Sequence, residues 1–188
     1  MLYLSQKDWT PDDVTALGEH VETILENNRR FELVEPIEPV ILLSHSQGCK
    51  ESKDRTSVLA ALGELAAEKN VFLAGSVAVK RNKQDGVQIT LGFLIDSTGR
   101  VQIETEKISP ELVNGIASEH TSALGQQKEF QVAKTPIGQV GVLPGEDILF
   151  PHYSRSLVWK GAEVILNPAE EAADDLFEAR QNARIARA

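Results

Sequence analysis

A single cysteine, Cys49, stands in 188 residues, so no disulfide can close within the chain and no cysteine-rich metal site can be built. That scarcity fits a reducing setting, and the expected location is the cytoplasm. Basic residues are also short: 28 acidic against 19 basic side chains leave a formal net charge of -9. No basic run offsets that charge, so neither a nucleic-acid surface nor an anionic-membrane surface is expected. Long apolar runs are missing too, and the opening MLYLSQKD turns polar too soon for a signal peptide. Internal repeats and low-complexity linkers are absent. What remains is 41% hydrophobic and 25% charged, the profile of a soluble globular chain, expected to form a single domain over residues 1–188.

Along the chain, short apolar strands alternate with amphipathic helices. Residues 2–5 read as a first strand. Thr10, Pro11, Asp12 and Asp13 then supply an N-cap, a proline for the first helical position and acids for the first turn. The helix they open runs to about Asn27, with Val14, Leu17, Val21, Ile24 and Leu25 on its buried stripe. Pro36 and Pro39 exclude helix, and residues 40–43 read as a strand buried on both faces. A second helix is expected over 52–69 and another apolar strand over 71–77. In the middle of the chain, residues 88–96, 101–106, 130–134 and 139–143 read as strands separated by turn signals. Pro151 opens a helix carrying Tyr153, Leu157 and Val158 that ends at Gly161, before a strand over 164–166. Residues 170–188 are helical in composition. The order indicates an α/β protein with mixed sheets.

Particular residues carry a resemblance. The run TPIGQVGVL from Thr135 to Leu143, then DILFP from Asp147 to Pro151, then Arg155 and GAEVILNP from Gly161 to Pro168, resembles the segment around the nucleophile of the nitrilase, or carbon-nitrogen hydrolase, superfamily. KNVFLAGS from Lys69 to Ser76 is similar to that family's helix-to-strand step, and DSTGRV from Asp96 to Val101 leads to Lys107 in a similar way. The resemblance implies an α-β-β-α sandwich. It also implies a site of three groups: a cysteine thiolate that attacks an amide or nitrile carbon, a glutamate that takes its proton, and a lysine that stabilises the developing negative charge.

Lys107 sits where the resemblance places the lysine. His45, in ILLSH, stands in the glutamate position, and Gly145, in LPGED, stands in the nucleophile position. A further family acid corresponds to Glu119, which an exposed helix acid would explain equally well. Histidine can serve as a base, but glycine has nothing with which to attack, and losing the nucleophile of such a unit costs on the order of 10⁶ in rate. Cys49, four residues past His45, is the candidate for a relocated nucleophile, although a small loop side chain is the blander account. Asp147 matches the family as a structural acid, and the adjacent Glu146 is expected to point elsewhere.

The expected function is therefore that of a noncatalytic nitrilase-like scaffold, subunit or binding module. One alternative is an active carbon-nitrogen hydrolase on a small amide or nitrile, using Cys49 or a water activated by His45. The other is a small-molecule sensor in which Lys107 anchors an anion. No cofactor or metal is implied. The resemblance further implies more strands after residue 188, so that a partner would cover an open sheet edge or the sequence is a piece of a longer chain. It also implies a homodimer or larger assembly through helices 151–160 and 170–188, burying Leu157, Trp159 and Phe177.

Overall fold

The computed structural model describes residues 2–4, 10, 12–29, 38–46, 55–80, 88–109, 112–113, 116–117, 129–169 and 177–187. Its first sheet has five strands in sequence order: β1 (Leu2–Leu4), β2 (Val40–Ser46), β3 (Phe72–Lys80), β4 (Gln88–Ile95) and β5 (Val101–Glu106). The first three run parallel, and β4 and β5 return antiparallel, giving the mixed sheet expected from the hairpins in the middle of the chain. Two antiparallel strands of two residues each follow, β6 (Leu112–Val113) and β7 (Ile116–Ala117). The second sheet has the order β10-β9-β8, with β8 at Val132–Thr135, β9 at Gly138–Val142 and β10 at Val164–Leu166. There β8 and β9 form a hairpin, while β9 and β10 run parallel.

Among the described residues there are four α-helices: α1 (Val14–Arg29), α2 (Arg55–Lys69), α3 (Pro151–Trp159) and α4 (Phe177–Arg187). The alternation of side chains along each strand assigns the layers. Ile41, Leu43, Leu73, Val77, Leu91, Phe93 and Ile95 face Leu17 and Val21 of α1 and Leu62 and Leu65 of α2. Val40, Leu42, Ala74, Leu94 and Ile103 face the other way, against Val140, Val142 and Leu166 of the second sheet. On that sheet's outer side Leu157 of α3 packs with Leu143 and Ile148, and Ile165 packs against them. These layers compose the α-β-β-α sandwich. No helix among the described residues is long and apolar enough to cross a membrane.

Three expectations need correction. The first helix begins at Val14, because the carboxylate of Asp13 accepts the Ala16 amide at 2.9 Å and so caps the helix itself; Thr10 lies one turn earlier, its carbonyl accepting from the Asp13 amide at 3.2 Å. Leu157 is fully buried inside its own chain, so it has nothing left to offer an intersubunit contact. The strand expected over 71–77 runs on to Lys80, since antiparallel pairing with β4 continues to Gln88. Within residues 170–188 the described part is a helix from Phe177 to Arg187, and residues 170–176 lie outside the described residues.

Candidate functional site

His45 reaches the space between the sheets through an irregularity in β2. Val40 pairs with Phe72, Ile41 with Leu73 and Leu42 with Ala74, after which His45 pairs with Ser76. Two residues, Leu43 and Ser44, thus stand opposite Gly75 alone, which is a β-bulge. A Cβ on Gly75 would lie 2.9 Å from the Leu43 Cβ and 3.3 Å from its carbonyl oxygen, so the absence of a side chain makes room for the surplus residue. Without the bulge, His45 would share the phase of Ile41 and Leu43 and face the helices. With it, the imidazole lies on the inter-sheet face beside Ser76.

The pairing continues in a row across the sheet. Ser76 is opposite Gly92, and Gly92 is opposite Thr105. Lys107 lies two residues beyond Thr105, just past the end of β5, its amide held by the Thr90 carbonyl at 2.8 Å. His45, Ser76, Gly92, Thr105 and Lys107 therefore share one face. Facing them are the chain segments that leave the parallel strands β9 and β10. A Cβ on Gly92 would come within 3.1 Å of Val142 and 3.3 Å of Pro144, so the sheets close tightly at this glycine.

Gly145 opens a 3-10 turn, Gly145–Leu149, in the left-handed region at φ +57. Its amide donates to the Pro168 carbonyl at 2.9 Å. Asn167 clamps the same turn, its side-chain amide donating to the carbonyls of Leu143 (2.6 Å) and Gly145 (2.9 Å), and Arg184 of α4 donates to the Asn167 oxygen at 2.9 Å. A Cβ at position 145 would meet the Lys107 side chain, 3.1 Å from Cε. Any side chain placed there would be aimed at the lysine.

Lys107 and Glu146 form an ion pair at 2.8 Å, their side chains 10% and 19% exposed. The neighbouring Asp147 turns inward, as expected of two adjacent acids, and accepts the amides of Ile108 at 3.0 Å and Ser109 at 2.7 Å. Burial pushes its carboxyl above the ordinary range, and the hydrogen bonds from Ser109 and Ile108 and the charge of Lys107 pull it only part of the way back. Tyr153 is raised as well, by burial and then by the Asp147 charge.

On the far side, His45 Nδ1 lies 3.0 Å from Ser76 Oγ, and Ser76 Oγ donates to the Pro168 carbonyl at 3.2 Å. A hydroxyl has one proton, and a carbonyl can only accept. With the Ser76 proton directed at Pro168, Ser76 Oγ accepts from His45 Nδ1. The Pro168 carbonyl thus joins Ser76 to Gly145, tying the histidine side of the site to the lysine side.

Of the residues picked out from the sequence, Lys107, His45 and Gly145 come together here. Glu119 and Cys49 lie outside the described residues. Ser76 and Asn167 had appeared only as parts of motifs, and nothing in the sequence pairs Ser76 with His45, because the pairing depends on the bulge. Glu146 was legible only as a neighbour of position 145.

A sequence profile described as carbon-nitrogen hydrolase matches residues 44–185. Among solved structures, an amidase from Nesterenkonia sp. superposes with a TM-score of 0.67 at 16% identity, over 94% of this chain and 65% of that one. A carbon-nitrogen hydrolase from Helicobacter pylori G27 gives 0.65 at 19% identity, over 100% of this chain and 66% of that one. A glutamate-to-leucine variant of the Nesterenkonia sp. AN1 amidase, bearing the acetamide moiety of fluoroacetamide on its active site cysteine, gives 0.69 at 15% identity, over 94% of this chain and 66% of that one. No curated protein matches the sequence. At these identities the shared property is the fold, and the chain spans 65% of the length of the first amidase.

Proposed function

Because the chain belongs to the carbon-nitrogen hydrolase family, whose profile takes in most of its length, we propose that it keeps the fold and the pocket without the covalent chemistry and serves as a noncatalytic binding module or subunit in the cytoplasm. One observation carries this reading. Position 145, from which a side chain would point at Lys107, is a glycine. The amidase that shares the fold reacts at an active site cysteine, and a glycine offers no atom that could form such an adduct. His45 stands in the place of a base with no thiol at position 145 to deprotonate, and the Lys107 ammonium is engaged by Glu146. The same reading takes α3 and α4 as a subunit face, since Trp159 is 85% and Ile185 75% exposed.

Ammonia release from acetamide tests the proposal. The wild-type chain is expected to match the protein-free blank. A Gly145→Cys/Cys49→Ser variant, whose one thiol stands at position 145, is expected to gain the mass of an adduct with fluoroacetamide. Release above the blank by the wild type would overturn the reading; loss of that release in Cys49→Ser would assign it to a relocated thiol, and loss in His45→Ala to an activated water.

A further inference from the structure

Between α1 and α2 runs a groove of about 590 Å³ that shares no residue with the inter-sheet site. Its floor is apolar: buried Leu65 and half-buried Val14 and Ala61 form it together with Gly18. A Cβ on Gly18 would stand 3.2 Å from Leu65 Cδ1, so the two helices are closely packed along this line. The walls are acidic. Glu19, Glu22 and Glu26 line the groove from α1, and Glu64 and Glu68 line it from α2. Lys69 is the one cation among the lining residues, and Glu22 at 3.3 Å and Glu68 at 3.1 Å already share it. Glu19, Glu26 and Glu64 form no ion pair among the described residues. Like charges three or four residues apart on one helix repel, so each wall holds its acids against the interest of its own helix. A cationic segment laid along the groove relieves that repulsion on both walls at once.

An apolar floor between two charged rims has the form that receives an amphipathic helix, and the sign of the rims selects a basic one. The length also suits: from Val14 to Glu26 the α1 wall rises about 18 Å, or roughly three turns. We propose that the α1–α2 groove docks a basic amphipathic helix of a partner protein, with its apolar stripe on Leu65 and Ala61 and its lysines or arginines between the glutamate rows. These helices pack on the first sheet, whereas α3 and its exposed Trp159 pack on the second. The inference therefore goes beyond the noncatalytic reading and does not depend on it.

The probe is an amidated, helix-forming peptide of about 14 residues, with leucines three and four apart and lysines elsewhere, titrated calorimetrically into the full chain. Binding is expected, and it should weaken as sodium chloride is raised, because exposed charges are screened. Glu19→Gln/Glu26→Gln/Glu64→Gln removes the three unpaired charges and leaves the Lys69 bridges in place. It is expected to weaken binding at least about tenfold, with an unchanged melting temperature showing that the fold is kept. Glu129→Gln/Glu163→Gln/Glu178→Gln takes the same charge from exposed positions beside the second sheet and on α4, and is expected to leave the affinity within about twofold. Should the first variant fail to fold, Ala61→Lys sets a competing ammonium in the groove and is expected to abolish binding. Absence of binding to the wild type would overturn the proposal. So would an equal loss in both triple variants, since net charge alone would then explain the attraction. Equal binding by a peptide of the same composition with its leucines scattered would overturn it too, because the floor would go unread, and spermine binding as tightly as the peptide would make the groove a polyamine site instead.

Discussion

Asp147 shows how one residue can hold a site together at a cost that depends on pH. Its ordinary value is 3.8, and burial raises it in the folded chain. An acid raised in this way binds its proton more readily when folded than when unfolded, so its contribution to stability is fully present below the unfolded value. That contribution declines as pH rises through the window between the unfolded and folded values. The melting temperature of the wild type, relative to Asp147→Asn, is therefore expected to fall as pH is raised from about 4. Thermal melts of both proteins at stepped pH measure it, and a flat difference would mean that Asp147 titrates in the folded chain as it does unfolded. At this scale the sequence was informative where chemistry follows from identity alone, as with Gly145, whose residue type offers no nucleophilic side chain. It was silent where chemistry follows from pairing, as with Ser76 and His45, which are 31 positions apart in the chain.

At the scale of elements, α3 presses against β9 at Gly141. A Cβ there would lie 2.7 Å from one methyl of Leu157 and 2.9 Å from the other, so the strand is bare where the helix presses on it. Leu157→Ala would leave a void that the surrounding strand and helix cannot readily fill, and it is expected to cost about 3 kcal/mol, read as a shift in the urea midpoint. The strands over 101–106 and 164–166 were legible to the residue, because charged or turn-forming neighbours bound them on both sides. The start of α1 was not, because Thr10 and Asp13 are both good caps and only the folded backbone decides between them.

At the scale of the whole molecule, four layers bury both faces of the first sheet and leave a different problem on the outer surface of the second. Val158 and Trp159 of α3, and Phe177 and Ile185 of α4, are exposed at 55%, 85%, 41% and 75%. If these helices form the subunit face, Trp159→Glu is expected to split the assembly in analytical ultracentrifugation while leaving the thermal stability of the separated chain intact, because an exposed ring carries little of the fold. An unchanged sedimentation coefficient would rule out that face. The layer order was legible in advance from the alternation of strand and helix and from the family resemblance. Which residues of α3 stay exposed was harder to read, because Leu157 looks in sequence as available as Trp159, and only packing takes it inside.

The surplus residue in β2 gives this architecture a kind of reading frame. Up to Leu42, even positions look between the sheets; after the bulge, odd ones do. Ser44 and His45 are thus rival occupants of a single place beside Ser76, and the choice between a hydroxyl and an imidazole is made by where one residue is stored rather than by which residue is encoded. Gly75 is the storage space. A change at this glycine, which carries no functional group of its own, would alter the chemistry presented between the sheets as surely as a change at His45.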